Sequence, residues 1–245
     1  MVLLVMLPAT MPVTVFKEIV KDRFGAGPEA VAYFTSIAMF GSFVFAPLAG
    51  YASDYFRNRR WFVAGFAVRN GIMFLSMCVV PSLTGLMVLR FIEGATSVFV
   101  IGLLMSVVSD RERELRPGTD APFLPGSLMG LAGMLLVLGA FMGIPLGGLL
   151  GIIDPLLPLA TAGTLMILNG LLVAAFLREG PTSVPAPATA SGAGLKALRL
   201  APLAIVPLLF AFTDRFTFGF LVSSFNLHLR EDLALNPAVA GLAMG

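Results

Sequence analysis

Long apolar runs separated by short polar connections set the pattern of this chain. The runs fall at about 2–20, 29–52, 61–80, 85–108, 127–151, 156–177 and 201–227, with an eighth opening near 237. A helix crosses the hydrocarbon of a bilayer with about 20 mostly apolar residues. The pattern therefore predicts seven membrane-spanning helices and the start of an eighth, an all-α polytopic membrane protein. Gly and Pro recur inside the runs, as lipid-embedded helices tolerate. No basic stretch precedes the first run and no small-residue cleavage site precedes Lys17. The first run is thus expected to be a retained helix rather than a removed leader.

Composition points the same way. Apolar residues make up 58% of the chain and charged residues 12%, against about 25% charged in soluble domains. A net charge of +2 is too small to suggest nucleic acid as a partner. Cys78 lies inside an apolar run, which excludes a disulfide framework. The connections after runs two, four and six carry Arg57, Arg59 and Arg60, then Arg111, Arg113 and Arg116, then Arg178, Lys196 and Arg199. The alternate connections, 81–84 and 152–155, carry no Lys or Arg, while Lys21, Arg23 and Arg230 sit beside acidic residues. The bias of Lys and Arg towards the cytoplasm places the first set, and the N-terminus, on that side. Residues 180–199 are rich in Pro, Ala, Ser and Gly in their first part and read as a flexible cytoplasmic linker. They divide a six-helix unit (1–179) from the start of a second (200–245).

The connection Gly50-Tyr-Ala-Ser-Asp54-Tyr-Phe-Arg57-Asn-Arg59-Arg60 is dense in charge, with a carboxylate entering it and three arginines leaving it. It resembles the loop between helices 2 and 3 of major facilitator superfamily transporters, a pattern close to G-x-x-x-D-x-x-x-G-R-R. Gly50, Asp54, Arg59 and Arg60 match; Asn58 stands where the family prefers Gly, and Tyr55 where it often has Arg or Lys. The resemblance implies a twelve-helix fold of two six-helix halves and a cytoplasmic latch built on Asp54 and these arginines. The other reading is that the arginines only fix topology.

An internal repeat fits two halves. Phe16 to Pro28 and Phe225 to Pro237 are equal spans, and Lys21-Asp22 falls against Arg230-Glu231. Each is the outer end of an odd-numbered helix turning into the next. Parallel repeats about an axis normal to the membrane are one way in which transporters are built. A second copy of the Gly50–Arg60 loop would begin beyond Gly245, so the chain is expected to be part of a protein of roughly 400 residues, lacking most of helix 8 and helices 9 to 12.

Three more segments carry candidate chemistry. In helix 4, Arg90-Phe-Ile-Glu93-Gly94 resembles the family pattern R-x-x-Q-G, and Ser109-Asp110 followed by Arg116 resembles the usual end of that helix. Arg90 and Glu93 are three apart and share a face. In helix 5, Gly139-x-x-x-Gly143-Ile-Pro145-Leu-Gly147-Gly148 resembles the G-x-x-x-G-P-x-x-G-G motif of drug–proton antiporters, with the proline one position late. Close helix packing alone accounts for much of that spacing. In helix 7, Asp214 lies about 20 Å from the cytoplasmic edge of a roughly 30 Å core, with Arg90 at about 22 Å and Glu93 at about 18 Å. Helices 1, 4, 7 and 10 line the central cavity of the resembled fold. Asp214, Arg215, Arg90 and Glu93 are therefore candidates for substrate binding or proton coupling, the alternative being mutual neutralisation. Arg69, with Asn70 near the middle of helix 3, is a further candidate, with Glu93 as its expected partner. His228 is expected at a solvated position.

Together these features predict a secondary transporter of the inner bacterial membrane, monomeric at full length. It would use protons and no cofactor to export small amphipathic compounds by alternating access. Uptake or exchange of a metabolite, or a non-transporting receptor on the same fold, are the alternatives. An intramembrane enzyme would need a nucleophile with its base or clustered metal ligands, and the sequence has neither pattern, nor a G-x-x-x-x-G-K-[ST] nucleotide loop.

Overall fold

The computed structural model describes residues 1–55, 59–115, 124–177 and 205–245. For Tyr51, Ser53–Tyr55, 207, 208, 210–212 and 214–216 it describes the backbone alone. The described residues are helical, with no strand among them. The α-helices are α1 (Leu3–Thr10), α2 (Pro28–Tyr55), α3 (Arg59–Val79), α4 (Leu83–Glu114), α5 (Ser127–Ile153), α6 (Leu157–Phe176), α7 (Ile205–Phe220), α8 (Asn226–Glu231) and α9 (Pro237–Met244). Five of these, α2 through α6, are long and apolar enough to cross a membrane.

The first and seventh predicted spans are interrupted. After α1 the chain tightens into a 3₁₀ turn at Met11–Val15 and then widens into a π segment at Lys17–Asp22. Pro8 and Pro12 are the physical reason: neither offers an N–H for the α-helical ladder. The junction residue Phe16 keeps right-handed helical angles, so the pieces continue one rod. The seventh rod likewise passes from α7 through a π segment at Leu221–Phe225 into α8 and ends at Glu231. The fourth runs on to Glu114, past the apolar limit near 108, because hydropathy marks where lipid ends rather than where the helix ends. Ion pairs within the last turn, such as Arg111 with Glu114 at 2.9 Å, accompany that extension.

Local sequence sets several helix starts. The Ser82 hydroxyl accepts from the Gly85 N–H at 3.1 Å to start α4, and Asn236 accepts from Val239 at 2.9 Å, ahead of Pro237, to start α9. Asp154 accepts from Leu156 N–H at 2.7 Å in the turn between α5 and α6.

Helices α2, α3, α4 and α6 pack side by side, α5 packs on the first rod, and α9 packs on α5. The core between them holds Phe16, Phe34, Phe74, Met77, Leu86, Leu103, Leu159 and Met166, all fully buried. In lipid, association depends on close fit more than on hydrophobicity, so small residues mark the crossings. A Cβ on Gly71 would meet the Gly163 carbonyl at 2.5 Å, and one on Gly163 would meet the Gly71 carbonyl at 2.8 Å. At the α2–α4 crossing a Cβ on Gly94 would strike the Ala38 backbone, and Ser42 donates to the Gly94 carbonyl at 2.7 Å.

Candidate functional site

About two and three turns into α4, Arg90 and Glu93 face the interior. Arg90 Nη1 donates to Glu93 Oε2 at 2.8 Å, and both residues are buried. The guanidinium also lies against two rings, 5.4 Å from the centroid of Phe16 on the first rod and 5.0 Å from that of Phe34 on α2. Those rings pack edge to face, 5.1 Å apart. An aromatic face attracts a cation more strongly where water is absent. Arg90 is therefore held by a carboxylate on its own helix and by rings from two others.

A file of donors reaches Glu93 from the other side. Thr96 donates to Asn70 Oδ1, Asn70 Nδ2 donates to Ser97 Oγ at 3.0 Å, and Ser97 donates to Glu93 Oε1 at 2.7 Å. Asn70 brings α3 into the network and is fully buried. Arg69, one residue earlier, is turned about 100° away on the helix, is exposed, and does not meet Glu93. The acid is already occupied by Arg90 and Ser97. The side chains of Asp214 and Arg215, on α7, lie outside the described residues, so the polar layer expected across a central cavity is described only on the α4 side.

At the end of the bundle where α3 starts, Arg59 pairs with Asp110 near the end of α4, and Arg113 approaches the same carboxylate at 3.9 Å. Arg60 donates to the Ala174 carbonyl on α6 and lies 5.0 Å from the centroid of the Trp61 ring. Two segments singled out separately in the sequence, the arginine-rich loop and the end of α4, are thus in contact. Gly50 is exposed on α2, with open space where a Cβ would be. Arg57, Arg116 and the side chain of Asp54 lie outside the described residues. Glu112, buried at this end, accepts from the N–H groups of Gly126 and, at 3.2 Å, Met129. It satisfies unpaired donors at the start of α5, where a carboxylate also complements the helix dipole.

At the opposite end the first and seventh rods meet through charges. Glu18 pairs with Arg230, and Lys21 pairs with Glu231. The first pair is the deeper one, with side-chain exposures of 15% and 8% against 31% and 24%. Burial lowers the pKa of Arg230 from its ordinary value. Below them Asn226 Nδ2 donates to the Val13 carbonyl at 2.6 Å. Arg23 donates to the carbonyls of Met77, Cys78 and Val80, capping the end of α3. His228 is exposed beside Asp232. The charges at these turns were visible in the repeat, but their pairing was not, since the repeat does not say that the two turns face each other.

The glycines of α5 are contact points. Cβ atoms on Gly139, Gly143 and Gly147 would strike the backbone or side chains of Leu3, Leu7, Thr10 and Met11 on the first rod. One on Gly148 would strike Pro237 at the start of α9. Pro145 packs against Gly241 and Gly245 of the same region. The glycine run therefore serves two crossings, one within the first unit and one with the second.

Among the described residues no cluster of His, Cys, Asp and Glu has the makings of a metal site. A family model described as Major Facilitator Superfamily matches residues 1–245. No curated protein matches the chain.

Proposed function

Because the chain belongs to the major facilitator superfamily, and is with it an integral multi-pass membrane transporter of small molecules, we propose that it works as a proton-coupled exporter of small amphipathic compounds by alternating access. The observation that carries this reading is the contact between the repeat-related ends of rods one and seven. Beside a small apolar contact through Val222, it is made by exchangeable charges, Glu18 with Arg230 and Lys21 with Glu231. Such a contact can close and release as two halves rock about a site between them. We place the N-terminus and the Arg59–Asp110 end in the cytoplasm of a bacterial cell, with the Arg59–Asp110 pair as part of a latch that includes Asp54, Arg57 and Arg116. The working unit is a monomer.

Proton coupling rests on Glu93 and Asp214. Glu93 has one cation on Oε2 and one hydroxyl on Oε1, so taking up a proton removes the charge that holds Arg90 and, with the proton on Oε1, turns the Ser97 hydroxyl from donor to acceptor. Phe16 then keeps the guanidinium in place while transmitting the change to the first rod. Export is favoured by the resemblance of the helix-5 glycine run, Gly139 to Gly148, to the motif of drug–proton antiporters.

The test is accumulation of a fluorescent lipophilic cation in cells lacking their own pumps, for wild type, Asp214→Asn and Glu93→Gln. Accumulation lowered by the wild type, and restored by a protonophore or by either variant, is the expected result. Unchanged accumulation, with the protein present in the membrane, would sink cation export and turn the search to uptake of anionic metabolites through Arg90.

A further inference from the structure

Arg69 sits about 15 Å along α3 from Arg59, near the middle of a helix long enough to cross the bilayer. Its side chain is exposed, and it makes no ion pair or hydrogen bond with a described residue. A cation facing hydrocarbon at that depth is costly and needs a counter-charge or a route to the interface. The helix surface beside it supplies a route. Gly65, one turn nearer the start of α3, has open space where a Cβ would be, and Trp61, a turn further, is exposed. Side chains on a helix lean towards its N-terminus, so Arg69 is placed to reach along the open strip beside Gly65 towards Trp61.

We propose that the notch formed by Arg69, Gly65 and Trp61 holds the phosphate of a phospholipid from the leaflet at the starting end of α3. The planar guanidinium matches a phosphate with two parallel hydrogen bonds. Gly65 leaves room for the headgroup to sink along the helix, and Trp61 stands at the depth where indole rings favour the interface. A second copy of the chain does not suit this face. The exposed stripe of Trp61, Gly65, Arg69, Ile72 and Val79 holds no acid, so a symmetric contact would set Arg69 against Arg69. The proposal is independent of what is transported.

The chain is placed in nanodiscs of phosphatidylglycerol mixed with a phosphate-free galactolipid, and retained lipid is counted by native mass spectrometry. The wild type is expected to retain phosphatidylglycerol over the galactolipid. Arg69→Gln lowers that retention about fivefold, the worth of one basic residue near an anionic surface. Gly65→Leu lowers it comparably with the charge intact, and its side chain enters open space, so the helix stays folded. Arg69→Lys keeps most of it, and inorganic phosphate does not displace the lipid. Equal retention in Arg69→Gln, no preference for the phosphate lipid, displacement by inorganic phosphate, or indifference to Gly65→Leu would each overturn the proposal. A dimer lost on Arg69→Gln would give the face to a second copy instead.

Discussion

Arg90 depends on Glu93, and Glu93 on Arg90, because neither has water to fall back on. Removing one partner of a buried pair leaves the other charge uncompensated, at a cost of about 3 kcal/mol, whereas removing both for apolar groups of similar size is often near neutral. Arg90→Met alone is therefore expected to lower unfolding stability in detergent by about that much, and Arg90→Met with Glu93→Leu to recover most of it. The double variant also separates a packing role from a working one. If it is stable yet inactive, the pair takes part in transport; if it is stable and active, the pair only packs. The spacing of Arg90 and Glu93 made their contact legible in the sequence, since three residues along a helix is one face. The rest of their surroundings was not legible. Phe16, Phe34, Asn70 and Ser97 join them because four rods are rotated to bring those faces inward, and periodicity along one helix says nothing of its rotation against another. Arg69 and Asn70 show the limit well: adjacent residues, one outside and one inside.

Spacing was a better guide for helices than for side chains. The motif glycines of α5, Gly139, Gly143, Gly147 and Gly148, were expected at a close crossing, and each sits against backbone. Gly147→Leu is expected to cost at least about 2 kcal/mol, because the first rod must move to admit the side chain. Gly133→Ala, on the same helix with open space at its Cβ, should instead be neutral or stabilising by up to about 1 kcal/mol. Thermal unfolding of both in one detergent checks the contrast; equal effects would mean that the crossing does not constrain α5. Glu112 escaped the sequence reading because Arg111 to Glu114 looks like a solvated charge run. Only the return of the chain after the loop turns one of its acids into a cap for the next helix. The break in the first rod was missed for a related reason. A hydropathy window registers Pro as tolerable in lipid and does not weigh the ladder bonds it removes.

Over the whole chain, the division into apolar runs marked the order and approximate limits of α2 through α6, because the bilayer imposes a minimum apolar length on them all. The two charged bridges joining rods one and seven are unequal, and their effects should be unequal. Arg230→Gln is expected to raise hydrogen exchange across 17–22 and 221–231 by about thirtyfold, for a deep pair worth about 2 kcal/mol after partial exposure. Lys21→Gln should raise it about twofold, as for a screened surface pair. Equal effects would show that depth does not rank the pairs. The same turns also carry a broken symmetry. Two copies of one turn facing each other across a twofold axis would form the Lys21–Glu231 bridge twice, the second time as Arg230 with Asp22. The chain forms it once and gives Arg230 to Glu18 instead, about one helical turn deeper, leaving Asp22 exposed. An outward slide of the seventh rod past the first thus carries Arg230 from one acid towards the next along the same segment. Such a slide would exchange one acid partner for another on the same segment, rather than strip the arginine of both.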